Sequence, residues 1–226
     1  MSNYGLSTRI RAKVIFYTVL LSIVLTYILN VTLLSLSLMN LGIVDQLVKM
    51  IMPLFNGGVL SNSVSVGLIY GALSKVFNDY LWKFSLFKRL TNVCDLNGTW
   101  KGELESNFKD KFGNPVKVDM TLVIKQSWTE MTCKCYFPKS SSKSDLVWLK
   151  NEGKDNFSLQ FSYSNQTREK EINTQPYNGF NILDYEKKDD LEYLNGIYFT
   201  DRYPQTRGNI TLTKDKTVKS DAEESV

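Results

Sequence analysis

Histidine is absent from this chain of 226 residues, which has only three cysteines, Cys94, Cys133 and Cys135. Without imidazole, Ser-His-Asp and Cys-His nucleophile systems and most metal centres are excluded. On a strand, Cys133 and Cys135 would share one face about 6.6 Å apart along the chain, which does not suit a disulfide. Sparse thiols are typical of a reducing compartment, and we predict that this pair fills a core.

Paired carboxylates are the remaining means of acid–base catalysis in a chain without histidine. The strand pattern described below places no Asp or Glu pair on an inward face, and it leaves only the face of Asp184 open. The sequence therefore predicts a protein that is not an enzyme and that uses no cofactor.

Charge is unevenly divided along the chain. The net charge is +4, with eight basic and two acidic side chains in residues 1–89 but 19 basic and 21 acidic in residues 90–226. The basic excess thus belongs to a hydrophobic amino-terminal part, where it is typical of membrane flanks rather than of nucleic-acid binding. We predict that no DNA or RNA polymer is a partner.

Long apolar runs are confined to the amino-terminal part, and the first extends from Val14 to Met39. As a helix at about 1.5 Å per residue it is roughly 39 Å long, enough to cross a hydrocarbon core of about 30 Å with some tilt. A second, weaker span is predicted from Val59 to Leu81. Basic residues flank the outer ends of both spans, so the positive-inside rule places both termini in the cytoplasm. We predict a cytoplasmic segment 1–13, a two-helix anchor 14–82 and a linker 83–94.

A ridge of small residues follows the second span, where Ser63, Gly67 and Gly71 recur every four residues. Such a ridge lets helices approach closely in a membrane. It predicts either an oligomerisation seam between copies or packing of the second helix against the first, and the sequence leaves both open.

Short alternating runs between polar turns make up residues 95–213. In Lys117–Gln126, for example, Val118, Met120, Leu122 and Ile124 fall on one face. Period-2 alternation with short connections predicts an antiparallel meander, and eight strands can close into a barrel without free edges. The predicted strands are Gly98–Ser106, Lys117–Gln126, Glu130–Phe137, Asp145–Lys150, Asn156–Ser164, Asn178–Lys187, Asp190–Thr200 and Arg207–Thr213.

The predicted fold is therefore a membrane α-helical hairpin plus an all-β domain, an antiparallel eight-stranded lipocalin-like up-and-down barrel over residues 95–213. Residues 214–226 are polar and charged and predict a disordered tail.

Three motifs accompany this layout: YLWK at Tyr80–Lys83, LNGTWKG at Leu96–Gly102, and LNGIYFTDRYPQTRGNITL at Leu194–Leu212. With the two spans, they make the chain resemble the minimal β-barrel membrane effectors of CBASS anti-phage systems. The resemblance covers most of residues 14–213.

The resemblance implies a function. A cognate nucleotidyltransferase makes a cyclic dinucleotide on phage infection, the barrel binds it, and the protein self-associates in the bacterial inner membrane. The lipid bilayer is then breached and growth stops before the phage replicates. The implied partners are thus the cyclic dinucleotide, the bilayer and further copies of the chain, with both termini cytoplasmic.

A cyclic dinucleotide requires cations or N–H donors for two phosphates and planar groups for two bases. Arg202 and Arg207 bracket the turn between the last two strands, beside Thr200 and Tyr203. This is the densest association of guanidinium and aromatic groups in the barrel sequence, and we predict that it forms part of the ligand site.

Tyr198 belongs to this predicted site only if it points inward, because alternation then places Thr200 and Arg202 on the same face. In that phase Ile197 and Phe199 face outward; the opposite phase buries them instead, and the sequence leaves the choice open. Trp100 and Tyr163 are further candidate stacking surfaces. Trp100 follows a strand-opening glycine, Gly98, where an aromatic side chain can instead plug one end of a barrel.

A different class of function is a membrane-anchored barrel that carries an apolar or lipid ligand. That function predicts an aliphatic interior with few inward cations, whereas a cyclic dinucleotide needs at least two cations near the pocket.

Overall fold

The computed structural model describes residues 2–3, 8–38, 46, 50, 59–153, 156–167 and 177–216. The chain divides into two compact units. One comprises Ser7–Phe87, and the other comprises Met1–Leu6 together with Lys88–Val226. Residues 217–226, most of the predicted disordered tail, lie outside the described residues.

Helices form the first unit. The helical elements are α1 (Thr8–Leu38), α2 (Val59–Asp79), a 3-10 turn (Leu81–Lys83) and α3 (Ser85–Thr91), the last of which continues into the second unit. Within α1, the 24 residues Ile10–Leu33 are long and apolar enough to cross a membrane, and this is the one such helix found in the described part of the chain. This helix supports membrane association.

Small hydroxyl side chains mark the contact between α1 and α2. Ser22 and Thr26 of α1 and Ser65 of α2 are buried, whereas the large apolar side chains of α1 are mostly exposed. The hydroxyls of Ser22 and Thr26 donate hydrogen bonds to carbonyls one turn earlier, Thr18 and Ser22. Their polarity is thus satisfied inside the helix, and their small size allows close helix approach.

The glycines of the predicted ridge lie on another face of α2. Gly67 and Gly71 are exposed, and a Cβ at either position would meet no described atom within 4 Å. The side chain of Ser63 lies outside the described residues. The face that carries the two glycines is therefore not packed against a described element of this chain.

The second unit is a closed antiparallel barrel of eight long strands, which confirms the predicted fold class. Its strands are β2 (Gly98–Lys109), β3 (Pro115–Gln126), β4 (Glu130–Tyr136), β5 (Ser140–Gly153), β6 (Asn156–Thr167), β7 (Tyr177–Lys188), β8 (Leu191–Thr200) and β9 (Arg207–Lys214). Sequential strands pair, β9 returns to β2, and β4 pairs with β5 to complete the ring. The last strand extends one residue into the predicted tail.

An additional strand was not predicted. Ser2–Asn3 forms a two-residue strand, β1, that pairs with Met131 and Glu130 of β4. Two polar residues carry no alternation, so no periodicity indicates such a strand.

Alternation determines the barrel core as predicted. The inward side chains of β3 and β6 include Met120, Leu122 and Ile124, and Leu159 and Phe161, all of which are almost fully buried. Cys133 and Cys135 are buried free thiols, which confirms that the pair fills the core. Asp184, the carboxylate whose strand face the sequence left open, is exposed.

One end of the barrel is sealed by Leu96 and Trp100, both fully buried. The Trp100 indole N–H donates to the Leu96 carbonyl at 3.0 Å, and the Leu96 N–H donates to Oε1 of Gln126 at 2.9 Å. The Lys214 ammonium lies 5.3 Å from the Trp100 ring centroid. The Trp100 indole, the Gln126 amide and the Lys214 ammonium together close this end of the barrel.

The opposite end is open because neighbouring hairpins differ in length. β3 pairs with β4 only from Thr121 to Gln126. Its first half, Pro115–Met120, has β2 on one side. On the other side no described strand pairs with it, and the β4–β5 turn, Phe137–Ser140, stands beside an opening in the barrel wall.

Candidate functional site

The open end of the barrel holds a cavity of about 560 Å³. This volume lies within the range of about 300–1,000 Å³ that is usual for small-molecule sites. Most strands contribute to its walls, and its described lining consists of Glu103, Leu104, Ser106, Phe108, Val116, Lys117, Val118, Asp119, Phe137, Pro138, Lys139, Ser140, Tyr163, Tyr177, Tyr198, Thr200, Arg202 and Thr206.

Three tyrosines form an aromatic wall of the cavity: Tyr163, Tyr177 and Tyr198. They come from adjacent strands β6, β7 and β8, where alternation turns them inward. Burial raises the pKa of Tyr163 and of Tyr177, and Arg202 opposes this rise in both. Both phenols therefore stay protonated at neutral pH and offer a flat surface together with a hydroxyl donor.

The ring of Tyr163 lies flat across the neighbouring strand because residue 179 is glycine. Gly179 stands directly opposite Tyr163 in the β6–β7 ladder and opposite Thr200 in the β7–β8 ladder. A Cβ at position 179 would lie 2.3 Å from both Cζ and Oη of Tyr163. The absence of a side chain at position 179 thus determines the position of the Tyr163 ring in the cavity wall.

Arg202 supplies a guanidinium at the mouth. Its Cζ lies 5.1 Å from the ring centroid of Tyr177, a cation–π contact that holds the side chain over the aromatic wall. Among the described residues, no carboxylate forms an ion pair with Arg202. No carboxylate of the described part of the chain therefore competes for its N–H groups, which can bind an anion in two-pronged geometry.

A threonine pair fixes the turn that carries Arg202. The hydroxyls of Thr200 and Thr206 lie 2.9 Å apart, and the Thr200 N–H donates to the Thr206 carbonyl at 2.9 Å. Both threonines are buried. This contact closes the β8–β9 turn, and it positions the guanidinium relative to the three tyrosines.

Lys117 and Lys139 add positive charge to the cavity lining, to which Glu103 and Asp119 add negative charge. Lys117 forms ion pairs with Glu103 at 2.9 Å and Glu105 at 3.4 Å, while Lys139 and Asp119 also line the cavity. The cavity thus combines stacking surfaces and hydroxyls with two cations, Arg202 and Lys139, that form no ion pair among the described residues. An aromatic dianion requires groups of these kinds.

The structure brings four of the predicted site residues together at this cavity: Tyr163, Tyr198, Thr200 and Arg202. Tyr198 and Thr200 are buried, whereas Ile197 and Phe199 are 48% and 41% exposed. The phase that the sequence left open is therefore the one that turns Tyr198 inward.

The other three predicted residues lie elsewhere. Trp100 seals the opposite end of the barrel, and Tyr203 is fully exposed at the tip of the turn. Arg207 lines an outer groove of about 610 Å³ together with Ile197 and Phe199. The two arginines of the β8–β9 turn therefore lie on different surfaces of the barrel.

Tyr177 is the main site residue that sequence reasoning missed. It lies one residue before the predicted start of its strand, yet extending the alternation of that strand by one step places it on the inward face with Gly179 and Asn181. No sequence pattern indicated that Lys139 lines the cavity, because its position depends on how the β4–β5 turn folds.

Comparison with known proteins agrees with this geometry. Residues 91–214 match the family model described as Cap15, cyclic dinucleotide receptor domain. This chain belongs to the Cap15 family. A relative within it, CD-NTase-associated protein 15 from Yersinia aleksiciae, is 25% identical over 156 residues, covering 67% of this chain and 70% of that protein.

Membership of the Cap15 family confirms the resemblance to CBASS effectors and assigns cyclic dinucleotide sensing to the barrel. The matched range begins within α3 and ends with β9, so it contains every strand of the barrel ring. A receptor domain of this fold indicates a sensor or effector rather than an enzyme.

Proposed function

We propose that this Cap15 protein is an anti-phage effector that binds its cyclic dinucleotide in the cavity of Tyr163, Tyr177, Tyr198 and Arg202. Ligand made by a cognate nucleotidyltransferase then triggers self-association of the membrane helices. The inner membrane is breached, and the infected cell stops growing. The observation that carries the proposal is the Arg202 guanidinium, which lies over a tyrosine wall without an ion-pair partner among the described residues, within a cyclic dinucleotide receptor domain.

The chemistry of the wall suits the two halves of such a ligand. Flat bases stack on aromatic side chains at about 1–3 kcal/mol per base, whatever their identity. A guanidinium binds a phosphate through paired N–H groups, in a geometry that a lysine does not offer. We assign base stacking to Tyr163 and Tyr198, and phosphate binding to Arg202 and Lys139, which both line the cavity.

The polar groups in the cavity lining count against the apolar carrier considered from the sequence. Three tyrosine hydroxyls, Ser106, Ser140 and the Thr200–Thr206 pair surround the cavity, and three cations also line it. An apolar ligand would cover the tyrosine hydroxyls without offering them a hydrogen bond, at a cost of about 1–3 kcal/mol for each one left buried and unpaired.

We assign self-association and membrane disruption, which follow ligand binding, to the helical unit. Its α1 is long enough to span the bilayer, and the exposed Gly67–Gly71 face of α2 is available to another copy. We place α2 in the membrane as a second span with both termini in the cytoplasm, because basic residues flank the outer ends of both helices. In this topology the barrel meets its ligand in the compartment where nucleotides are made.

The two arginines of the β8–β9 turn provide a matched test. We expect Arg202→Ala to raise the Kd for the cognate cyclic dinucleotide roughly 10- to 150-fold, since a hydrogen-bonded charged contact contributes about 1.5–3 kcal/mol. Arg207→Ala removes the same charge from the outer groove and should change the Kd far less. Calorimetric titration of the full chain in detergent, with a panel of cyclic dinucleotides, measures both.

The reverse ranking, with Arg207→Ala weakening binding and Arg202→Ala neutral, would move the site from the cavity to the outer groove. A titration of the unaltered protein in which no member of the panel binds would remove the proposed ligand class itself.

A further inference from the structure

A free strand edge lies beside the ligand cavity. In the described structure, residues Pro115–Met120 of β3 pair with β2 on one side only, because the β4–β5 hairpin ends level with Thr121. Every second residue of this stretch directs its backbone N–H and C=O groups away from β2. Such an edge is a template for another strand, and natural barrels otherwise leave none.

The charges along this edge are unbalanced within one copy. Asp119 stands directly opposite Glu103 in the β2–β3 ladder, and like charges in that arrangement destabilise a sheet. Lys117, two residues earlier on the same face of β3, is engaged by Glu103 and Glu105. No described residue forms an ion pair with Asp119. Among the described residues, Asp119 is thus a carboxylate without a cation partner.

A second copy of the same edge supplies such a partner. When two copies of β3 run antiparallel about a two-fold axis at Val118, Lys117 of each copy faces Asp119 of the other. Moving the axis one residue either way sets Lys117 against Lys117 or Asp119 against Asp119. Only the register centred on Val118 is complementary, and it pairs Val116 with Met120 on the inner face.

We propose that the self-associated state contains this strand pairing, in which two barrels join through Pro115–Met120 of β3 into one continuous sheet. The proposal rests on the self-association put forward above and adds the surface that mediates it. Val116 to Asp119 also form one wall of the cavity, so the joined edge closes the cavity on that side.

Membrane attachment makes so small a contact sufficient. The register centred on Val118 pairs five residues of each strand, 116–120, which is fewer than a stable interface in solution requires. Helices that hold both barrels at one membrane surface raise the effective concentration of one edge for the other, and a second weak contact then adds to the first.

Charge reversal tests this pairing, because opposite reversals in two chains compensate each other only across a contact between copies. Full-length chains with two different tags are co-expressed, solubilised in detergent and incubated with cyclic di-AMP, cyclic di-GMP, cyclic GMP–AMP and cyclic UMP–AMP in turn. Lys117→Asp chains should capture one another roughly fivefold less than unaltered chains do, because each contact then sets two carboxylates opposite. Asp119→Lys chains should fail similarly.

A mixture of the two variants should restore capture to the unaltered level. The aspartate introduced at position 117 of one chain then faces the lysine introduced at position 119 of the other, and the unaltered Asp119 and Lys117 of the two chains also face each other. Restoration also shows that both variants fold. A mixture no better than either variant alone, or single variants that associate normally, overturns the strand pairing. Unaltered chains that never co-purify with any of the four ligands overturn self-association as well, which distinguishes the two failures.

A cross-link provides the second measurement. In a Cys94→Ser chain, Val118→Cys should yield a disulfide-linked dimer on mild oxidation, because the two-fold axis places residue 118 opposite itself within disulfide distance. Val123→Cys is the matched control, as Val123 is equally half-buried on the same strand but has neighbouring strands on both sides. Equal cross-linking of both variants, or of neither, overturns the pairing.

Discussion

Replacing Gly179 by alanine should reduce ligand affinity without unfolding the barrel. The new Cβ would lie 2.3 Å from Cζ and Oη of Tyr163, against 3.4 Å or more for ordinary contact. The ring must therefore retreat by about 1 Å or rotate, because atoms repel steeply inside their contact distance. Since the obstructing atoms belong to the tip of a side chain and not to the backbone, the ring moves into the cavity and the ladder stays intact.

The loss follows from the stacking surface that moves. A base stacked on an aromatic ring contributes about 1–3 kcal/mol, so complete loss at Tyr163 raises the Kd roughly 5- to 150-fold. The residual strain of a small overpacked site costs about 1–3 kcal/mol of stability. Gly196→Ala gives the contrast, because its Cβ would press on the Ile182 carbonyl of the neighbouring strand and must disrupt the ladder.

A double-mutant cycle tests whether residue 179 affects ligand binding through Tyr163. Calorimetric titration of Gly179→Ala, Tyr163→Ala and the combined variant should show that the glycine change costs nothing further once the ring is absent. An equal loss in both backgrounds, or a Kd for Gly179→Ala within error of the unaltered protein, would refute the reasoning that residue 179 acts through Tyr163.

Two further predictions concern the helical unit and the core. Gly67→Leu and Gly71→Leu should abolish toxicity in growing cells while leaving ligand titration unchanged, since each fills an exposed face of α2; full toxicity of both variants would argue against a tight seam. Burial raises the pKa of Cys135 from 9.0 to about 12 and that of Cys133 well above its usual value. Neither native thiol should react with a disulfide reagent at about pH 8, where both should react after denaturation. Because the folded state favours the neutral thiol of Cys135, its contribution to stability is complete below pH 9 and declines as the pH rises towards 12.

Local alternation predicted the barrel because each strand carries its own inside and outside. Val118 to Ile124 needs no information from distant residues to define an inward face. Tyr198 is different, since Ile197 and Phe199 beside it are equally apolar. Its phase depends on Gly196 and Gly208, where neighbouring backbones approach too closely for any Cβ, and that is a property of the assembled sheet.

The cavity itself depends on pairings that no local pattern carries. Tyr177 meets Arg202 across 25 positions of sequence, and Tyr163 meets Gly179 only in the β6–β7 register. Arg202 and Arg207 lie on different surfaces because the Thr200–Thr206 contact folds the turn between them. Trp100 plugs one end of the barrel, as its place after a strand-opening glycine allowed, yet which end it closes depends on the strand order.

The sealed end of the barrel is also the end where the chain arrives and departs. Leu96, before the first barrel strand, and Lys214, at the end of the last, both lie at the Trp100 seal, whereas the mouth is bordered by the turns 110–114, 137–139 and 201–206. Substitutions and length changes in those turns alter the mouth without disturbing the attachment to the helices. Recognition can therefore diversify from one bacterial strain to another while the connection to the membrane is inherited unchanged.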